Sequence, residues 1–162
     1  MRRLLLLVST TVAPIKDRWV ANGYPSYPLW IPLVIDSAAA VAAVLTVGQR
    51  VDDGNALPAL LLVLLGLTPW LDELRGRVAP QWVFLLLTAG SCAVLMYRYP
   101  VEYDFAPFLL VLMVGHTGAC VSMLRSGLLL AATAPVLVGL WALDKLPVEG
   151  AGIWLAALVI GW

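Results

Sequence analysis

Charge is what this chain has least of. Only 12% of its 162 residues are Asp, Glu, Lys or Arg, while 62% are hydrophobic. Ordinary soluble domains are about 25% charged and about 45–50% apolar. The mean hydropathy is +0.92, so a fold in water would leave large apolar areas wet. The formal net charge is zero, and without a basic surplus there is no electrostatic footprint for nucleic acid. Histidine occurs once, as His116, and cysteine twice, as Cys92 and Cys120. A structural zinc site needs about four ligands, which these three scattered residues do not supply. No glycine-rich nucleotide loop and no convergent set of acids and bases is present, so no catalytic residue, metal or cofactor is expected. These scarcities together imply an integral membrane protein.

Abundance is concentrated in six apolar runs: Trp30–Gly48, Leu57–Leu71, Trp82–Tyr97, Phe105–Leu124, Gly127–Leu143 and Ala151–Trp162. The segments "QRVDDGN", "DELRGRVAPQ", "RYPVEYD", "RSG" and "DKLPVEG" punctuate them. A run in lipid must satisfy its backbone polar groups internally, so each reads as a helix. The alternating polarity of a membrane barrel is absent. The expected fold is therefore all-α, a bundle of six transmembrane helices over residues 29–162. Residues 1–28 read as a cytoplasmic or interfacial lead-in. Its leading apolar stretch, Leu4–Val8, is shorter than the roughly 7–15 residues of a secretory signal core. Its ring-rich end, "WVANGYPSYPLW", suits the headgroup level.

Basic residues mark the cytoplasmic side of a membrane protein. With the N-terminus inside, Arg2, Arg3, Lys16, Arg18, Arg75, Arg77 and Arg125 fall inside, and only Arg50, Arg98 and Lys145 fall outside. Asp52, Asp53, Glu102, Asp104, Asp144 and Glu149 also fall outside. Both termini are thus expected in the cytoplasm. The sixth run has 12 residues, about 18 Å of helix against a core of about 30 Å. This shortfall suggests a piece of a longer protein whose sixth helix continues inward.

Six short spans, the turns "RSG" and "DELRGR", and the closing "GIWLAALVIGW" resemble the N-terminal sensor regions of bacterial two-component histidine kinases. The likeness is to the multi-span kind of high-GC Gram-positive bacteria and covers roughly residues 25–162. It implies a membrane-embedded signal-input region passing helix rearrangement through the last span to cytoplasmic kinase domains. It also implies a homodimer and a response-regulator partner engaged by domains outside this chain. The phosphoacceptor role does not carry over to His116, which is followed by Thr117 inside an apolar run. A stand-alone small membrane protein, a transporter subunit or assembly partner, is the alternative.

Ionisable groups within spans cost about 2.5–3.5 kcal/mol on insertion scales and so call for a reason. Asp36 lies six residues into the first run and His116 eight residues before the end of the fourth, about 9 and 12 Å from the inner ends. A carboxylate facing an imidazole would ease the burial of both. Such a pair could respond to protons or a ligand, or simply be interhelical glue. Haem ligation by His116 with Met96, Met113 or Met123 rests on a single histidine. Ala38 and Ala42, and Gly115 and Ala119, recur at the four-residue spacing that lets helices approach closely in lipid. They suggest that the first and fourth helices are neighbours.

Overall fold

A computed structural model describes residues 30–74 and 80–161. The lead-in over 1–28 lies outside the described residues, as do Arg75 and Arg77. The described residues form six helices and no strand. They are α1 (Trp30–Gly48), α2 (Ala56–Leu74), α3 (Gln81–Arg98), α4 (Ala106–Cys120), α5 (Met123–Ala142) and α6 (Val148–Gly161). Two of them, α3 and α5, are long and apolar enough to cross a membrane.

The core is built around α4. Nine of its 15 residues are buried, from Ala106 to Cys120, and it packs against α1, α3, α5 and α6. A helix covered on most sides needs apolar residues on most sides, which "APFLLVLMVGHTGAC" provides. On α1 the buried face is Ala39, Ala42, Ala43 and Thr46, the three- and four-residue spacing of one helical stripe, and Arg50, two residues past the helix end, is buried in line with it. Small side chains there let α1 lie close against α4. Outward-facing positions stay apolar too: Val44 is 71% exposed, Leu57 66% and Ile160 85%.

Pro107 occupies the first turn of α4, where its missing N–H and fixed φ are harmless. Pro69 and Pro135 lie within α2 and α5 without ending them. Within α3 the turn Leu85–Ala89 widens to π geometry. There Thr88 donates to the Gly66 carbonyl of α2 at 2.8 Å. A Cβ at Gly66 would stand 3.3 Å from that of Ser91, so glycine sets this α2–α3 approach.

The break between α4 and α5 differs from the sequence expectation. "RSG" is not a turn: Arg125, Ser126 and Gly127 belong to α5, and the chain reverses at Val121 and Ser122. Ser122 is extended, with φ −170° and ψ 135°, and its N–H reaches back to the Thr117 carbonyl at 2.9 Å. Ser126 then donates from Oγ to the Val114 carbonyl at 2.6 Å. A side-chain bond across the two helices replaces the glycine turn that the sequence suggested.

Both thiols are free and buried. At the end of α5, Asp144 takes the left-handed conformation with φ 54°. The Lys145 N–H bonds the Leu140 carbonyl and the Asp144 N–H that of Trp141, the paired bonds of a Schellman cap.

Candidate functional site

Two sites of opposite character lie at the two ends of the bundle. At one end three loops converge, residues 49–55, 99–105 and 143–147. Arg50, two residues past the end of α1, is fully buried, and Asp104 is 6% exposed. The guanidinium Nη2 meets Asp104 Oδ2 at 2.5 Å. Its Nε donates to the Tyr99 carbonyl at 3.0 Å and its Nη1 to the Thr46 carbonyl at 2.8 Å. The other carboxylate oxygen of Asp104 accepts the Ala106 N–H at 2.9 Å, opening α4. Beside this pair, the Gln49 amide donates to the Tyr103 carbonyl and accepts the Phe105 N–H. A buried ion pair is tolerable only where hydrogen bonds satisfy its remaining donors and acceptors. Here they also tie the end of α1 to the start of α4.

By sequence both charges belong to loops on the outer side. They do lie in loops at one end, but their side chains fold inward. An arginine one turn beyond Thr46, and an aspartate two residues before a helix-opening "AP", were the available signals. Their partnership across 54 residues is beyond a single sequence.

Asp104 also lines a cleft of about 290 Å³ between the 99–105 loop and the first turns of α6. Phe105, Ile153 and Trp154 supply apolar wall, while Glu102, Tyr103 and Glu149 supply the polar rim. Trp154 is held in place by Phe108 of α4, with ring centroids 6.3 Å apart. Among the described residues, neither Glu102 nor Glu149 enters an ion pair. Lys145 sits over the Tyr97 ring at 5.6 Å and lines the adjoining hollow, which shares Glu102, Leu146 and Pro147 with the cleft.

The opposite end holds His116, 2% exposed. Trp70 of α2 tilts against it with centroids 5.2 Å apart, and Phe84 of α3 lies 6.5 Å away. Trp70 and Phe84 themselves meet edge to face at 5.5 Å. Because α4 ends at Cys120, His116 lies only four residues, about 6 Å, from its end, shallower than the sequence suggested. Asp36 is partly buried on α1, six residues past Trp30 in the same half of the bundle. The helices that carry the two residues pack together.

Of those small residues, Ala42 is 2% exposed on the buried face, and Ala38, Gly115 and Ala119 are partly exposed. The neighbouring Ala39, at 1% exposure, holds the more central place. The glycine of "GHTGA" that sets a close approach is Gly118, whose Cβ would stand 3.1 Å from Ser126 Oγ. Among the described residues no cluster of three His, Cys, Asp or Glu could hold a metal ion. No family model, no curated protein and no solved structure matches the chain.

Proposed function

We propose that the chain is a six-span membrane bundle with both termini cytoplasmic, serving as the signal-input region of a two-component histidine kinase. Several features support the membrane reading. The 18-residue α3 and the 20-residue α5 are about 27 and 30 Å long, close to the roughly 30 Å of a hydrocarbon core. Large apolar side chains face outward on every helix but α4, and patches of that kind mark membrane or partner surfaces.

One observation carries the input reading. The cleft at the Arg50 end is walled by Glu149, Gly150, Ile153 and Trp154, the opening turns of the last helix. Occupancy of the cleft would therefore bear directly on α6, the helix assigned to output. In the full protein, a homodimer would convert that movement into phosphotransfer to a response regulator.

Reading the native transcript beyond Trp162 tests the kinase assignment. The expected frame continues into a soluble helix with a His–acidic pair and then an ATP-binding domain. A stop codon without these elements would overturn the kinase reading in favour of a small stand-alone membrane protein.

A further inference from the structure

We propose that the cleft between the 99–105 loop and α6 binds a small organic cation: an ammonium group attached to an aromatic or alkyl body. The proposal names the ligand class of the input site and rests on that reading for its role, though not for its binding chemistry.

Charge complementarity is the first argument. At this end Asp52, Asp53, Glu102, Asp144 and Glu149 are exposed, against exposed Arg98 and partly exposed Lys145. Arg50 adds nothing to the outer field, because Asp104 neutralises it inside the fold. The remaining imbalance is negative, which draws cations and raises their local concentration. Two of the five carboxylates, Glu102 and Glu149, stand on the cleft itself.

The second argument is the wall. Phe105, Tyr103 and Trp154, three aromatic residues, line the one cleft. Aromatic faces attract ammonium groups, and a tryptophan face does so best. Ile153, 64% exposed, extends the apolar surface beyond Trp154 for the ligand's body. An anion would meet the two exposed carboxylates, and no Lys or Arg lines the cleft itself, Lys145 standing in the adjoining hollow. A neutral apolar guest would leave the carboxylates unused. Only a cation with an apolar body uses both halves of the site, and a volume of about 290 Å³ limits it to small-molecule size.

Binding of benzyltrimethylammonium to the purified chain in maltoside micelles tests this, by calorimetry and saturation-transfer NMR. Phenylmethanesulfonate, with a similar body and opposite charge, is the comparison. The cation should bind saturably and the sulfonate should not. Glu102→Gln and Glu149→Gln should each weaken the cation about three- to fivefold, as an exposed charge contact does. Trp154→Leu should weaken it further. Both glutamates are exposed, so these variants keep the fold, and circular dichroism checks it. Equal binding of cation and sulfonate, or full affinity in the double glutamine variant, overturns the proposal. A kinase-encoding frame without cation binding would sink only the ligand assignment. Cation binding without such a frame would sink only the kinase role.

Discussion

Arg50 shows how much one side chain can decide in this fold. It stands where a surface residue would be expected, yet three of its groups bond to Thr46, Tyr99 and Asp104. Breaking a buried pair from one side leaves the other charge stranded, typically at about 3–5 kcal/mol. Arg50→Met and Asp104→Leu are each expected to destabilise the bundle by that order in detergent-driven unfolding. The double variant should cost clearly less than the sum, because no buried charge remains; strict additivity would mean that the pair is not energetically coupled. The same logic applies more weakly to Asp36 and His116. If they share one network across the α1–α4 seam, Asp36→Asn with His116→Gln should show a coupling of about 0.6 kcal/mol, the average for interhelical polar bonds in membranes. Coupling within error of zero would leave His116 as a residue of the Trp70–Phe84 aromatic cluster alone.

At the scale of elements, the apolar runs located all six helices, because sustained hydrophobicity is a property of each segment by itself. Their junctions were harder. The α4–α5 reversal carries Val121 and Ser122 rather than glycine, and what stabilises it is Ser126 donating to Val114, a contact that exists only once both helices are placed. Likewise the spacing of Gly115 and Ala119 pointed to a close approach, but it is Gly118 that faces Ser126. The candidate site was the least legible part. Its cleft joins residues 102–105 to 149–154, and its neighbouring ion pair joins 50 to 104; neither proximity leaves a local pattern. Gly118→Ala offers a direct test of the junction. The added methyl would press on Ser126 Oγ at 3.1 Å and Cβ at 3.4 Å, an overpacking that typically costs about 1–3 kcal/mol. Replacing Ser126 by glycine in the same chain removes both crowded atoms, along with the bond to Val114. Thermal unfolding in micelles should therefore show the double variant less impaired than the two single losses added together. A fully tolerated Gly118→Ala would mean that α4 and α5 are not held at this distance.

For the whole molecule, burial changes how the charges vote on orientation. Counting residues alone, Arg50 weighs against an outward placement of its end. With its charge cancelled by Asp104, that end presents Asp52, Asp53, Glu102, Asp144 and Glu149 against Arg98 and Lys145. Arg125 is exposed at the opposite end. Lys and Arg near the ends of spans are retained on the cytoplasmic side, so the Arg50 end should face outward. Single cysteines placed in a background lacking Cys92 and Cys120 report this directly. Asp53→Cys and Glu102→Cys, both at exposed loop positions, should react with a membrane-impermeant maleimide added to intact cells. Arg125→Cys should react only after the membrane is opened. The reverse pattern would invert the bundle, turn the cleft toward the cytoplasm and remove it as a site for external signals. Labelling of Asp53→Cys and Arg125→Cys from the same side would break the alternation of α1 to α5 across the membrane, and with it the six-span reading.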